Sequence, residues 1–478
     1  MSSPKVLIAA AEGAPFAKTG GLADVVGALP AALKREGVEA AVIMPEHSVI
    51  KHNFRNRLTT VAAMQIQVGW RSQYLGIEKA EENGVTYYFI DNEYYFGGPI
   101  YKGGTAEDEQ YMFFCRAVLE ALPHIDFKPD IIHCNDWHTA MIPMLIRTQY
   151  QGRDQGGIKT VFTIHNLQYQ GQMGFEALQD MLGISPQYFT PEYIEAYGCA
   201  NMMKAGLVFC DRITTVSPTY AREILDPFYG RGMQGILNAR SHETTGIVNG
   251  IETKDYDPAT DRQIWVNYSV DDIPKKYENK SRLIQEMNMN ISGSTPIISM
   301  VTRMTEQKGL DLVRAVLEEL LHEDVAFCIL GTGDREYQDY FNYIAAKYPG
   351  NSGIYIGYND QLARRIYAGS DFILMPSLFE PCGLSQMLAQ AYGALPIVRE
   401  TGGLADTVQP YNIYTGEGNG FSFANYNAHD MLHIIRFALS VYRDKTSLLK
   451  LIKNAMLTDN SFEKSAKQYI EVYKSLVG

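Results

Sequence analysis

Two basic residues follow a short apolar run, where a parallel sheet would present them to a ligand. Arg303 and Lys308 come after the run from Ile297 to Val301, and Gly309 then opens a helical pattern. A guanidinium binds a phosphate oxyanion through two parallel hydrogen bonds, and a lysine adds a point charge. The N–H groups at the start of a helix favour the same anion. This turn is therefore predicted to grip a diphosphate.

The segment HCNDWHTA carries a second set of reactive side chains. His133 and His138 flank Asp136 and Trp137 in it. Their spacing follows none of the patterns that common metal sites use. A carboxylate beside an indole suits a sugar, because the carboxylate accepts hydrogen bonds from hydroxyl groups and the ring packs on an apolar face. The segment therefore favours a sugar site over a metal site.

Two more polar clusters end apolar runs. His165 and Asn166 follow the run from Thr160 to Ile164, and Glu380 follows the run from Phe372 to Met375. An uncharged histidine can hydrogen-bond a sugar hydroxyl, and a buried glutamate can stabilise positive charge that develops on a sugar ring. A core histidine and a capping glutamate are the structural alternatives for each residue alone. A shared ligand cleft explains the whole set of clusters better.

Glycine-rich turns form a further group of candidate binding elements. The hexapeptide TGGLAD occurs from Thr19 to Asp24 and again from Thr401 to Asp406, each time after an apolar run and before a helical pattern. Paired glycines let a backbone approach a ligand closely. Lys18 precedes the first copy and Glu400 the second, so the two copies are predicted to differ in chemistry. The turn GTGD at 331–334 lacks the third glycine of a dinucleotide fingerprint and suits a structural turn equally well.

Parallel strands are needed to bring these residues together. Short runs rich in Val, Ile and Phe alternate with helical patterns, which is typical of βαβ units with helices on both faces. The alternation stops at the polar stretch from Asn249 to Asn279 and then begins again, which predicts two doubly wound α/β domains with ligands at the carboxyl ends of their strands. The predicted strands are 6–10, 41–44, 87–90, 131–134, 160–164, 213–216, 297–301, 326–330, 354–356, 372–375 and 396–398, and two late helices are predicted at 431–442 and 462–476.

Composition narrows the class of protein. A chain of 478 residues exceeds the size of one hydrophobic core, which again predicts at least two domains. The formal net charge of −12 argues against nucleic acid as a partner. The 6 cysteines show neither disulfide nor zinc spacing, so a reducing cytoplasm is expected. No apolar stretch approaches the roughly 18 residues of a membrane span.

With these motifs the sequence resembles the bacterial glycogen synthases and plant starch synthases, and the resemblance covers nearly the whole chain. It implies a GT-B fold, with two Rossmann-like domains facing a deep interdomain cleft. The implied domains are 1–250 on the acceptor side, 251–455 for the nucleotide sugar, and a C-terminal helix, 456–478, that crosses back to the first domain. The most specific motifs are KTGGLADV (18–25), DWH (136–138), TIHN (163–166), VNGI (248–251), TRMTEQKGLDL (302–312), LGTGD (330–334), GYN (357–359), FEPCGL (379–384) and ETGGLADT (400–407).

The resemblance also implies an activity. Family members are retaining glycosyltransferases that move α-glucose from ADP-glucose to the non-reducing 4-hydroxyl of an α-1,4-glucan, without a cofactor or metal ion. Neither nucleic acid nor a membrane is an expected partner. The implied catalytic residues are Glu380, as the main carboxylate, with His165, Asp136 and Lys18. The implied nucleotide-sugar ligands are Lys18, Gly21, Asp24, Asn166, Asn249, Arg303, Lys308, Gly357, Tyr358, Cys382, Gly383, Leu384, Ser385, Thr401 and Gly402, and Glu12 would line the first domain's side.

Several alternatives stay open at the level of sequence. Leu378 stands where the family commonly has Arg, and Ser385 where it has Thr; Glu252 and Tyr256 also depart from the usual Asp and Trp. No residue separates ADP-glucose from UDP-glucose, and retention is compatible with front-face attack or a covalent intermediate. A Rossmann dehydrogenase would need a complete GxGxxG. A non-catalytic glucan-binding protein would bind glycogen without turnover.

Overall fold

The computed structural model describes residues 3–477, which fall into two compact units. The first unit runs to Gly250 and includes the C-terminal segment from Phe462, and the second unit spans Ile251–Ser461. The segment that the sequence division began at residue 456 therefore starts inside the second unit. Within residues 3–477, no helix combines the length and the apolar character needed to cross a membrane.

The first unit is built on one large, mostly parallel sheet. Its strands are β1 (Lys5–Ala9), β2 (Glu39–Pro45), β3 (Thr59–Val68), β4 (Arg71–Glu82), β5 (Val85–Asp91), β6 (Ile131–Asn135), β7 (Lys159–Ile164), β8 (Gln172–Met173), β9 (Glu195–Ala196), β10 (Cys199–Asn201), β11 (Arg212–Thr215) and β12 (Thr244–Gly246). Nine of them form a sheet in the order β12-β11-β7-β6-β1-β2-β5-β4-β3, and β8, β10 and β9 form a small separate sheet. The chain leaves β1 on one side through β2 and returns on the other side at β6. This reversal is a topological switch point, where the carboxyl ends of two neighbouring strands open a crevice.

A hairpin at one edge of this sheet departs from the predicted parallel arrangement. β3 pairs antiparallel with β4, and β4 pairs antiparallel with β5. Only Ile66 and Val68 are buried in β3, and its other residues are exposed or half-buried. The segment therefore lacks the continuous apolar run of a central parallel strand, and the sequence analysis did not predict it.

The second unit repeats the same design on a smaller scale. Its strands are β13 (Ile297–Val301), β14 (Ala326–Gly331), β15 (Ser352–Ile356), β16 (Phe372–Met375), β17 (Leu395–Arg399) and β18 (Phe421–Phe423). They pair in parallel in the order β15-β14-β13-β16-β17-β18. The chain again leaves the first strand on one side and returns on the other, so the switch point lies between β13 and β16.

Helices connect the strands in both units. Up to Gly250 they are α1 (Gly21–Arg35), α2 (Ser48–Phe54), α3 (Glu93–Phe96), α4 (Gly104–Ala121), α5 (Met141–Thr148), α6 (Phe175–Leu182), α7 (Met202–Phe209), α8 (Pro218–Glu223), α9 (Pro227–Gly230) and α10 (Gln234–Ala239). The second unit contains α11 (Lys276–Glu286), α12 (Leu310–Leu321), α13 (Arg335–Lys347), α14 (Asp360–Gly369), α15 (Ser385–Ala391), α16 (Gly402–Thr407), α17 (Ala428–Arg443) and α18 (Lys445–Met456), and α19 (Phe462–Val477) ends the chain.

Alternate residues of the second sheet enter two separate cores. Phe327 and Phe372 pack with residues of α12, α13, α17 and α18. Their neighbours Cys328 and Ile373 pack with residues of α11, α14 and α15. Because successive side chains of a strand point to opposite faces, helices cover both faces of this sheet. The predicted doubly wound α/β class is confirmed.

The C-terminal helix is part of the first unit. α19 packs on α1, and Arg35 pairs with Glu463 at 2.7 Å. Farther along α19, the hydroxyl of Tyr473 hydrogen-bonds Nδ1 of the buried His133 at 2.8 Å. This helix therefore buries the strand β6 that leads to Asp136.

Candidate active site

A buried ion pair spans the switch point of the second unit. Lys308 follows β13 and Glu380 follows β16, and Lys308 Nζ lies 2.7 Å from Glu380 Oε2. Ser377 Oγ donates a second hydrogen bond to the same oxygen at 3.0 Å. Glu380 is only 6% exposed. Burial of a carboxylate is tolerated when a cation and further donors satisfy it, so this charge is fixed in place at the crevice.

The turn that carries Lys308 is locked to the loop that carries Glu380. Gly309 has φ 69°, and a Cβ there would lie 2.0 Å from the carbonyl oxygen of Pro376. The Gln307 side chain donates to the carbonyl of Phe379 at 3.2 Å, and the Leu378 N–H donates to the carbonyl of Gln307 at 2.9 Å. Only glycine permits this close approach, so the local sequence positions the two charges.

The backbone of the second TGGLAD copy packs against the loop that carries Glu380. Gly402 has φ 44°, and a Cβ there would lie 1.9 Å from the carbonyl oxygen of Glu380. The Gly403 N–H donates to the carbonyls of Glu380 and Pro381 at 3.2 and 3.1 Å. Thr401 is fully buried. The glycines of this copy therefore allow backbone packing under the carboxylate.

The loop after Glu380 turns into α15, whose first turn borders the same crevice. Gly383 adopts φ 75°, and the helix begins at Ser385, whose hydroxyl donates to the carbonyl of Val301 at 3.4 Å. Cys382 is buried. The first N–H groups of a helix have no partner within the helix, so those near Leu384 and Ser385 suit an anion. Arg303 is exposed on the opposite turn.

Two further predicted turns lie at the ends of β14 and β15. Gly331 and Gly333 contact the backbone of Thr302 and Met304, where a Cβ would come within 1.9 and 2.3 Å of a carbonyl oxygen. These contacts explain structurally why Gly331 and Gly333 are glycines. Gly357 donates its N–H to Gly331 at 2.8 Å, and the Tyr358 side chain is 80% exposed. Tyr358 is therefore open to a ligand.

The first unit presents a carboxyl group of a different kind at its own switch point. Asp136 follows β6, and its Oδ1 accepts the His165 N–H at 2.7 Å and the Asn166 N–H at 3.4 Å. Its backbone has φ 56°, a conformation that costs energy in a residue other than glycine. Burial raises the pKa of Asp136 to about 7, although these two N–H donors lower it. The pKa of the Asp136 carboxyl group therefore lies close to neutral pH.

The hydrogen bonds of His165 fix its tautomer. His165 Nε2 lies 2.8 Å from Asn135 Oδ1, while the Asn135 amide donates to the carbonyls of Ala9 and His133. The oxygen of Asn135 must therefore accept, which places the proton on Nε2 and leaves Nδ1 as an acceptor. Burial lowers the pKa of His165 to about 3, so the ring is neutral.

The first TGGLAD copy begins near a buried acid. Glu12 is 2% exposed and its Oε2 accepts the Thr19 N–H at 2.6 Å and the Thr19 hydroxyl at 2.7 Å. Burial raises the pKa of Glu12. Lys18 Nζ lies 2.6 Å from Asp24 Oδ1. Lys18 and Gly21 are exposed, so this copy presents its cation and glycines to solvent.

The remaining candidates divide into one ligand candidate and two core histidines. Asn249 is 7% exposed and its Oδ1 is unsatisfied within the described chain. His133 hydrogen-bonds Tyr473 and Thr163, and the buried His138 ring lies tilted against Trp137 with ring centroids 4.2 Å apart. Both histidines serve the core. Among residues 3–477, no cluster of three His, Cys, Asp or Glu side chains suits a metal ion.

The predicted residues form one group in each unit. The group of the second unit lies at the ends of β13, β15, β16 and β17, and the group of the first unit follows β1, β6, β7 and β12. Sequence reasoning missed Ser377, Asn135 and Gln307. Ser377 lies three residues before Glu380 and Asn135 immediately precedes Asp136, so position after a strand was the available signal.

Comparison with known proteins matches each unit to a described family. Residues 5–239 match the family described as "Starch synthase catalytic domain", and residues 284–457 match "Glycosyl transferases group 1". A glycogen synthase from Bacillus cereus (strain Q1) is 51% identical over 473 residues, which covers 99% of each chain.

Two solved structures share the fold over the whole chain. The catalytic domain of starch synthase IV from Arabidopsis thaliana, bound to ADP and acarbose, has a TM-score of 0.92 and 32% identity over 100% of both chains. Sucrose-phosphate synthase from Thermosynechococcus elongatus has a TM-score of 0.62 and 17% identity over 99% of each chain, a likeness of fold alone.

Proposed function

The chain belongs to the family of bacterial glycogen synthases and plant starch synthases, and from this premise we propose that it elongates glycogen. It transfers α-D-glucose from ADP-glucose to the non-reducing 4-hydroxyl of an α-1,4-glucan and releases ADP. Its two Rossmann-like units are those of the GT-B glycosyltransferases, as the resemblance predicted. Membership of this family excludes the alternative that the chain is a Rossmann dehydrogenase.

The buried Lys308–Glu380 pair is the observation that carries this function. Glycosyl transfer from a nucleotide sugar creates two charges, a negative one on the leaving phosphate and a positive one on the sugar ring. Lys308 and Glu380 supply the opposite charges 2.7 Å apart in one crevice. Fixed charges in a buried site stabilise developing charge without reorganisation at the moment of reaction.

In this proposal the second unit binds the donor. Arg303 and Lys308 hold the diphosphate, and the first N–H groups of α15, near Leu384 and Ser385, bind the phosphate oxygens. The exposed ring of Tyr358 and the backbone of Gly357 receive the nucleoside. As the bond between glucose C1 and the β-phosphate oxygen breaks, these groups take up the charge that grows on ADP.

The first unit orients the sugar in the proposed reaction. The neutral His165 ring offers Nδ1 as an acceptor for a glucose hydroxyl, and Asn166 and Asn249 supply amide groups for others. Asp136 lies beside the reacting carbon, and the exposed Lys18 adds a third cation for the leaving phosphate. A new bond forms between C1 and the acceptor O4, whose proton leaves with ADP or with solvent.

A single assay tests this function and its donor. The protein is mixed with ADP-glucose and glycogen, and ADP release is followed. We expect turnover that falls to background in Glu380→Gln. Equal release by both proteins would contradict the proposal. The same assay with UDP-glucose measures the donor preference, for which family membership favours ADP-glucose.

The proposed partners and location follow from the reaction. The donor is ADP-glucose, the acceptor is an α-1,4-glucan, and the reaction takes place in the cytoplasm. All six cysteines are free thiols in the described chain, which suits a reducing compartment. Thiol counting on the protein isolated without added reductant should find all six thiols free, and a lower count would contradict this location.

A further inference from the structure

A cavity of the first unit lies where β2 and β5 end and has no part in the mechanism above. It measures about 290 Å³, near the lower end of the roughly 300–1,000 Å³ that is typical of ligand-binding cavities. β2 and β5 are neighbouring parallel strands, in which Pro45 pairs with Ile90. Ligands of α/β sheets bind at this edge, outside the carboxyl ends of the strands. The lining consists of Glu46, Ser48, Lys51, His52, Glu93 and Gly97.

The carboxyl group of Glu46 is the unusual part of this lining. Glu46 directly follows β2 and is only 2% exposed. Within residues 3–477, its Oε2 has no hydrogen-bond partner. A buried carboxyl group without a partner lowers stability, so most buried polar groups in proteins are hydrogen-bonded. The position of Glu46 in a cavity wall therefore points to a partner that the chain itself does not supply.

The donors nearest to Glu46 along the chain are directed to other acceptors. Lys51 Nζ lies 2.6 Å from Asp91 Oδ1. The hydroxyl of Ser48 donates to the carbonyl of Gly98 at 3.2 Å. Both side chains line the cavity, yet neither satisfies the Glu46 carboxyl group.

The surroundings of Glu46 are acidic. Burial raises the pKa of Glu46 to about 8, and the carboxylates of Glu78 and Asp91 act in the same direction. Lys51 and Arg55 act in the opposite direction and do not cancel these effects. In the empty cavity Glu46 therefore carries a proton at neutral pH. The other titratable groups of the lining are His52 and Glu93.

These features select a ligand with a compact positive charge. An anion would be repelled by the carboxylates around Glu46. A metal ion needs several ligands, and across the described residues no three His, Cys, Asp or Glu side chains are grouped for one. A guanidinium is best matched by two oxygens, whereas an ammonium is a point charge that one oxygen can satisfy. The single unpartnered Oε2 therefore suits an ammonium group.

We propose that this cavity binds a small organic cation whose primary ammonium group pairs with the carboxylate of Glu46. Glu93, which is exposed and lines the same cavity, adds a second negative charge for the cation. The Glu46 carboxyl group loses its proton to solvent as the ammonium group enters, and the ammonium group keeps its own protons. None of the six lining residues is among the predicted catalytic or nucleotide-sugar residues, so the inference does not rest on the proposed function.

Isothermal titration calorimetry with 1,4-diaminobutane tests the ligand class. We expect the wild type to bind it, and Glu46→Gln to bind it about 10–100-fold more weakly, which is the usual loss for one charged hydrogen bond. Glu176→Gln removes an exposed carboxylate from the same unit and should bind like the wild type. 1,4-Butanediol has the same chain without charge and should bind at least about tenfold more weakly than the diamine.

Three outcomes of this titration would overturn the assignment. They are the absence of diamine binding by the wild type, equal binding of the diol and the diamine, and equal diamine affinity in Glu46→Gln and Glu176→Gln. Thermal unfolding of both variants verifies that they are folded under the conditions of the titration.

Proton release provides a readout on the wild type alone. At pH 7 we expect about one proton to be released for each diamine bound, because Glu46 changes from protonated to ionised. The affinity should also rise about tenfold from pH 6 to pH 7. Titrations in phosphate and Tris buffers, whose heats of ionisation differ, measure the number of protons. Release near zero, with an affinity independent of pH, would overturn the role of Glu46. No donor sugar or glucan is present, so the result is the same whether or not the protein transfers glucose.

Discussion

The two copies of TGGLAD share six residues and a position after a strand, yet the fold uses them in opposite ways. In the first copy, Thr19, Gly20 and Gly21 are exposed, and the copy opens a helix of 15 residues. In the second copy, Thr401 and both glycines are buried, and the helix that follows has only 6 residues. The first copy is open to solvent, and the second packs against the loop that carries Glu380.

The difference arises from what precedes each copy. The first copy is separated from β1 by the segment 10–18, which carries Glu12 and Lys18. The second copy follows β17 after Glu400 alone, so its glycines meet the backbone of the Glu380 loop. The absence of a side chain leaves an exposed backbone in the first copy and permits close backbone packing in the second. A repeat therefore marks two related units without marking two equivalent sites.

The largest effect is expected at the carboxylate that the second copy supports. Glu380→Gln should lower kcat by about 10²–10³-fold, because it removes a fixed charge at the reacting centre. Glu400→Gln is the matched control, since Glu400 is exposed and its carboxylate accepts a hydrogen bond from Ser422. Steady-state ADP release measures both. Comparable losses in the two variants would show that the chemistry does not depend on Glu380.

The next effect separates the copies by stability. Gly402→Ala should destabilise the protein by about 2–4 kcal/mol, because a Cβ would lie 1.9 Å from the Glu380 carbonyl oxygen at a φ of 44°. Gly20→Ala should change stability by less than about 0.5 kcal/mol, because its Cβ would lie 3.7 Å from Glu12 Oε1, an ordinary van der Waals contact. Thermal unfolding of both variants measures the contrast. Equal melting temperatures would break the comparison.

The cation of the first copy should produce a smaller, purely kinetic loss. Lys18→Ala is expected to lower kcat/KM for ADP-glucose by about 10–100-fold, the usual range for losing one charged contact to a developing anion. Lys5→Ala is the control, since Lys5 pairs with Glu39 on the surface of the same unit at 3.2 Å. The melting temperature should stay near wild type in both. An unchanged kcat/KM in Lys18→Ala would show that Lys18 and the first copy take no part in the reaction.

The smallest expected effect comes from a difference between two buried carboxyl groups, those of Glu380 and Asp136. Glu380 is paired with a lysine, whereas burial raises the pKa of Asp136 to about 7. An unfolded aspartate titrates near ~4. Between these pH values the folded protein keeps a proton that the unfolded chain has lost, so this group lowers the free energy of unfolding as pH rises from about 4 to 7.

Asp136→Asn removes that contribution and tests it. The free energy of unfolding of the variant minus that of wild type should therefore increase as pH rises across this window and level off above pH ~7. Asp154→Asn, an exposed position in the same unit, is the control. Urea unfolding at a series of pH values measures the difference. Parallel curves for Asp136→Asn and wild type would contradict the raised pKa.

Strand ends were the part of the site that the sequence could predict. Lys308 and Glu380 each follow an apolar run, and parallel strands bring such positions to one edge of a sheet. Their pairing could not be predicted, because it depends on strand order between residues that are 72 positions apart. The tautomer of His165 was equally hidden, since it depends on two carbonyls that orient Asn135.

Other features could not be predicted from the sequence, because the local residue pattern does not determine them. The β3–β4 hairpin alternates weakly between buried and exposed residues, so it lacks the apolar run that identified the central strands. Thr401 is buried whereas Thr19 is exposed, and the identical hexapeptides gave no sign of this difference. Burial depends on the partner surface, which a single segment does not encode.

Retaining transfer of glucose from ADP-glucose to the 4-hydroxyl of a glucan is the reaction that we propose for this chain. Proton NMR of a mixture of the protein, ADP-glucose and maltotriose tests it most directly. We expect α-1,4-linked anomeric signals to grow in one-to-one proportion with ADP, and Glu380→Gln to slow the growth of both by about 10²–10³-fold. Release of ADP with free glucose as the only sugar product, or a new β-linked signal, would contradict it.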